Sequence, residues 1–157
     1  MGLVEPGTVV FVVDDDCEVR QSIAELLTME GYEPRPLPTA DAAWTAMTIG
    51  GIRPASIILD LWLTGMSSSE FIRRLRASRH SSVPVLVLSG ARSAEQIEAD
   101  VDAVMQKPIE ACALVRAIDK LICAGRMAGA AAPPMAGRAP PRRAPRDGHK
   151  RAARRTR

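Results

Sequence analysis

Three mainly apolar runs of strand length constrain this chain more than anything else: TVVFVV (8–13), ASIILD (55–60) and VPVLVLS (83–89). A strand with one wet face alternates apolar and polar residues. These runs do not alternate, so both of their faces should be covered, as in a parallel sheet between two layers of helix. A weaker run, VDAVMQ, lies at 101–106, and a poor one at 33–37, where Pro34 and Pro36 allow only an edge strand or an irregular segment. Helical patterns separate them. Val19, Ile23, Leu26 and Leu27 share a face that ends at Gly31, a C′ glycine. Thr39 caps a stripe of Ala40, Ala43, Trp44 and Met47. Ser67 and Glu70 have capping-box spacing ahead of Phe71, Ile72 and Leu75, and Ser93 and Gln96 repeat it before a short helix at 94–99. Leu114, Val115, Ile118, Leu121 and Ile122 line a last helix at 109–123. The order βαβαβαβαβα predicts an α/β fold, a doubly wound five-stranded parallel sheet with helices on both faces. No GxGxxG follows the first strand, which argues against a dinucleotide site.

Charge divides the chain in two. Residues 124–157 hold ten Lys/Arg against Asp147 alone and carry +9, while the first 123 residues carry −6. We therefore expect one acidic domain at 1–123 and a disordered, basic Ala/Pro/Arg-rich tail at 124–157, which has too few large apolar residues to offset the entropy of ordering. The tail's arginines could contact nucleic acid weakly, but it has no aromatic for base stacking. Cys17, Cys112 and Cys123 are odd in number and lack zinc-ligand spacing, which suits reduced thiols in a cytoplasmic protein. No run approaches the roughly 20 residues of a membrane span, and residues 1–13 lack a signal-peptide pattern.

Open parallel sheets bind ligands beyond the C-terminal ends of their strands. Here those ends supply Asp14, Asp15 and Asp16 after the first strand, Asp60 after the third, Ser89 after the fourth and Lys107 after the fifth. Gathered carboxylates repel unless a cation lies among them. Magnesium answers that need and leaves positions for water and phosphate oxygens. Asp14 and Asp15 are then the metal holders, and an ionised Asp60 can attack a phosphoryl group. Lys107 and the Ser89 hydroxyl would hold the transferred oxygens. Taken singly, each residue has a plain reading: a solvated loop, a helix cap, a turn serine, a surface lysine. Four strand ends supplying this set together outweigh those readings.

VVDDD, IILDLWLTGMSS, VLVLSGA and MQKPI, in that order, resemble the receiver domain of bacterial two-component response regulators, over about residues 8–123. The resemblance implies a flavodoxin-like receiver fold in a phosphorelay, with Asp60 as phosphoacceptor for a sensor histidine kinase or histidine phosphotransfer protein. It implies Mg2+ held by Asp14, Asp15, Asp60 and the backbone carbonyl of Trp62. It also implies Ser89 as the switch hydroxyl, Lys107 as the family's lysine, and a cis bond between Lys107 and Pro108.

Three departures from the family pattern carry expectations of their own. The segment between Ser89 and Lys107 is about one helical turn short, which predicts a shortened fourth helix. Val104 stands where many receivers carry a switch aromatic, so signalling should proceed by ordering of the segment after Ser89. Leu63, Thr64 and Ser68 replace the usual Met-Pro and Gly, so the 60–69 loop is expected to be less rigid, with the Trp62 ring beside the site. With no output domain expected after residue 123, the chain reads as a single-domain response regulator. It would signal to an unknown downstream protein or act as a phosphate sink, and it is not an enzyme with an external substrate. A phosphorylation-independent receiver-like adaptor is the alternative.

Overall fold

The computed structural model describes residues 5–90 and 100–130. Five parallel strands form one sheet: β1 (Val9–Val13), β2 (Glu33–Leu37), β3 (Ser56–Asp60), β4 (Val85–Ser89) and β5 (Ala103–Gln106), in the order β2-β1-β3-β4-β5. Among the described residues four helices cover it: α1 (Cys17–Met29), α2 (Ala40–Thr48), α3 (Ser68–Arg76) and α4 (Ala111–Ala130).

The uninterrupted apolar runs have the cause inferred from the sequence. Phe11, Val13, Ile57, Leu59, Val85 and Val87 point into a core with Ala43 and Met47 of α2 and Phe71 and Leu75 of α3. Val10, Val12, Ile58, Leu86 and Leu88 point the other way, against Ile23 and Leu27 of α1 and Leu114, Ile118 and Ile122 of α4. Successive side chains of a strand alternate between faces, so two buried faces require an apolar residue at every position. The fold is the doubly wound, flavodoxin-like receiver fold.

Local chemistry sets the element ends. Asp16 caps α1 by accepting from the Glu18 and Val19 amides (2.9 and 3.2 Å). The helix closes in a Schellman turn: Gly31 takes φ +88°, its N–H donates to Thr28 O, and Tyr32 N–H donates to Leu27 O. Thr39 accepts from Ala42 N–H at α2, and Ser67 accepts from Glu70 N–H at α3. Only that half of the predicted capping box forms there, because the Glu70 carboxylate pairs with Arg73 and Arg74. β2 lies at a sheet edge, beside β1, where Pro34 and Pro36 are tolerated.

One boundary differs from expectation. The last helix, expected at 109–123, runs to Ala130. Ala and Met are strong helix formers, and Arg126 ties the added turns to Glu5 at 3.3 Å. The shortened fourth helix and the Ser93/Gln96 spacing fall within 91–99, and most of the expected tail within 131–157; both lie outside the described residues. No helix among the described residues is long and apolar enough to cross a membrane.

Candidate functional site

β1 is flanked by β2 on one side and β3 on the other. This is where the winding direction reverses, and the crevice at such a point opens at the C-terminal ends of the strands. Asp14 and Asp15 follow β1 directly, and Asp60 is the last residue of β3. Asp14 is 1% exposed and Asp60 5%, while Asp15 faces solvent. One carboxylate oxygen from each of the three lies within 4.8 Å of the others.

Lys107 follows β5 and crosses to this cluster. Its Nζ lies 3.1 Å from Asp14 Oδ2 and 2.9 Å from Asp60 Oδ1. Its backbone N–H donates to Ser89 O at 2.8 Å, and the Lys107-Pro108 bond is cis, as the resemblance implied. Asp14 is held from several sides. Asp16 N–H donates to its Oδ1 at 2.9 Å, and Arg20 of α1 reaches back to its carbonyl at 2.5 Å. Ser89 is buried at the end of β4, but its hydroxyl donates to Gly90 O (3.3 Å) and not to the acids. The structure thus brings Asp14, Asp15, Asp60 and Lys107 together, while the Ser89 hydroxyl bonds Gly90 O. Trp62 is 60% exposed, and its backbone N–H bonds the Asp60 carboxylate.

The electrostatics are those of a crowded anion site. Burial pushes the Asp60 carboxyl above the ordinary aspartate value, against the Lys107 hydrogen bond and charge; Asp14 pushes the same way as burial, and the Trp62 N–H opposes it. Burial alone would lower the Lys107 ammonium, but its bonds to Asp60 and Asp14 more than reverse that and hold it above its usual range. Three carboxylates face one ammonium, so negative charge is left over. The acidic pocket fits the divalent ion that receiver domains bind. An ion with bonds of about 2.1 Å takes ligand oxygens up to about 4.2 Å apart, so small side-chain rotations would close this cluster around one.

Two groups missed in the sequence hold the 60–68 turn. Ser68 Oγ donates to Asp60 O (2.6 Å) and Leu61 O (3.0 Å), and Asp41 of α2 accepts from Met66 N–H (3.2 Å). Gly65 between them takes φ +82°, a left-handed conformation that suits glycine. The turn, expected to be loose because of Leu63, Thr64 and Ser68, is therefore tied at several points. The only sequence signal was Ser68 itself, a hydroxyl where the resembled pattern has glycine.

Comparison with known proteins agrees with this geometry. The family model for the response regulator receiver domain matches residues 10–119. The DNA-binding response regulator MtrA of Mycobacterium tuberculosis is 30% identical over 110 residues, which cover 68% of this chain and 46% of MtrA. The sensory transduction protein RegX3 of Mycobacterium bovis is 32% identical over 123 residues, covering 75% of this chain and 52% of RegX3. The chain thus spans about half the length of these curated relatives. Among solved structures, the receiver domain of NtrX from Brucella abortus superposes with a TM-score of 0.66 at 27% identity, covering 72% of this chain and 97% of that one.

Proposed function

This chain belongs to the response regulator receiver domain family, and from that membership we propose that it accepts a phosphoryl group on Asp60 from a sensor histidine kinase or a histidine phosphotransfer protein. The observation that carries this reading is the Lys107 ammonium lying between Asp14 Oδ2 and Asp60 Oδ1, with the Asp15 carboxylate in the same cluster. An Asp60 oxygen attacks phosphorus, the P–N bond to the donor histidine breaks, and the imidazole leaves with the electron pair. Lys107 then holds a phosphoryl oxygen in place of its contact with Asp60, and the Ser89 hydroxyl turns from Gly90 to take another. Asp14, Asp15, Asp60 and the Trp62 carbonyl are the groups that would hold Mg2+, which offsets the charge gathered as the phosphoryl group approaches.

The chain works as a signalling module whose chemistry stays on its own side chain. We propose a cytoplasmic, single-domain regulator, with a receiver at 1–123 followed by a basic extension, that signals by protein contact or acts as a phosphate sink. The extension would touch nucleic acid weakly at most. The DNA binding named for MtrA belongs to a protein about twice the matched length. One observation favours the alternative of a phosphorylation-independent adaptor: Val104, 44% exposed, stands on β5 without the aromatic that reports phosphorylation in many receivers.

Incubation with Mg2+ and acetyl phosphate, followed by intact mass, decides between them. The expected outcome is one phosphoryl adduct that disappears in Asp60→Asn. No adduct on the unsubstituted chain would favour the adaptor.

A further inference from the structure

Ser68 stands at the first position of α3, 1% exposed, and its hydroxyl reaches back over the turn to the carbonyls of Asp60 (2.6 Å) and Leu61 (3.0 Å). Each of these carbonyls shares a rigid, planar peptide unit with the N–H of the next residue. The unit joining Asp60 to Leu61 is fixed at its other end, where Leu61 N–H donates to Leu88 O of β4 (2.9 Å). The unit joining Leu61 to Trp62 carries the N–H that bonds the Asp60 carboxylate. One hydroxyl proton, shared by two carbonyls, therefore sets the plane of the peptide whose N–H holds the reactive side chain.

We infer that Ser68 is a positioning residue for the phosphoacceptor: its hydroxyl orients the Leu61 and Trp62 backbone so that the Asp60 carboxylate is aimed at the cation site. This rests on the reading of Asp60 given above. The glycine of the resembled pattern at this position has no hydroxyl to do the same. Neighbouring features agree with it. The turn lacks proline at Thr64, and on its far side Met66 N–H donates to Asp41. A buried hydroxyl that merely satisfied itself would need one carbonyl; this one spans the carbonyls of the two successive peptide units that follow the reactive residue.

The test uses the full chain with Ser68→Ala and Ser68→Gly, both of which remove the hydroxyl. Mg2+ affinity by isothermal titration calorimetry and the rate of acetyl phosphate labelling at saturating Mg2+ are read beside the thermal midpoint. Loss of a group that orients ligands commonly weakens metal binding or activity about 10-fold or more, and we expect about 10-fold in both variants, in affinity and in rate. A merely structural role would lower the midpoint and leave affinity and rate within twofold, and that result overturns the inference. If Ser68→Ala does not fold, Ser68→Gly, which adds nothing to the buried space, decides. If the unsubstituted chain itself neither binds Mg2+ nor becomes labelled, the reading of Asp60 fails as well; normal labelling in all three proteins removes only the role of Ser68.

Discussion

His80 is the one buried side chain among the described residues with a polar atom lacking a partner. It is 5% exposed, its Nε2 accepts from Arg79 Nε at 3.2 Å, and its Nδ1 has none. Burial first, then the Arg79 and Arg53 charges, hold its pKa below the ordinary histidine value. The folded chain therefore binds this proton less readily than the unfolded chain does. Stability should be unaffected by His80 above about pH 6.5 and should fall as pH drops below it, by at most about 1.4 kcal/mol per pH unit. In His80→Leu, urea unfolding between pH 7.5 and 5.5 should lose most of that slope; an unchanged slope would assign it to other groups. At this scale the sequence revealed Asp14, Asp15, Asp60 and Lys107, because a charged residue just past an apolar strand has only one crevice to enter. It did not reveal the work of Ser68, Asp41 or Arg20. Each of these bonds a backbone group of the site (Asp60 O, Met66 N–H, Asp14 O), and residue types do not show where backbone groups point.

Among the elements, one side chain ties the end of α3 to the segments that lead into β4 and β5. Arg76, the last residue of α3, donates through Nε to Asp100 O (2.9 Å) and through Nη1 to Ser81 O and Val83 O (2.7 and 2.8 Å). Its Nη2 meets Asp102 Oδ2 (2.7 Å), which also accepts from Val85 N–H at the start of β4. Asp100, held at φ +96° without being glycine, supplies one of the acceptors. A planar guanidinium can serve these diverging acceptors at once and an ammonium cannot. Arg76→Lys should therefore cost roughly 1–2 kcal/mol in urea unfolding, since it leaves the part-buried Val83 carbonyl unpaired. A loss below about 0.5 kcal/mol would mean that solvent already satisfies it. The strands were readable in advance because double-sided burial leaves no polar position. The end of α4 was not: its last turns are Ala, Gly, Arg and Met, a composition shared with the Ala/Pro/Arg-rich segment beyond, and Arg126 finds its anchor in Glu5 at the other end of the chain.

For the whole molecule, the pI of about 9.1 describes neither half: the excess of base lies after residue 123, and the folded body is acidic. Among the described residues, three carboxylates gather at the ends of β1 and β3, where Lys107 after β5 meets them. Because burial and Asp14 raise the Asp60 pKa, ionised Asp60 lowers folded stability above the unfolded aspartate value, and protonation relieves this as pH falls. A divalent ion bound only by the folded state should relieve it at neutral pH as well. At ten times its dissociation constant, Mg2+ should add about 1.4 kcal/mol, which for a domain of this size raises the thermal midpoint by about 3–6 °C. Asp15→Asn removes one carboxylate of the cluster without touching the Lys107 pairs, so it should abolish most of the Mg2+ response while leaving the metal-free midpoint equal or higher. Differential scanning calorimetry with and without Mg2+, at fixed ionic strength so that general screening cancels, separates the specific ion from salt. If the unsubstituted chain gains nothing from Mg2+ while Asp15→Asn is less stable, the three acids hold no ion.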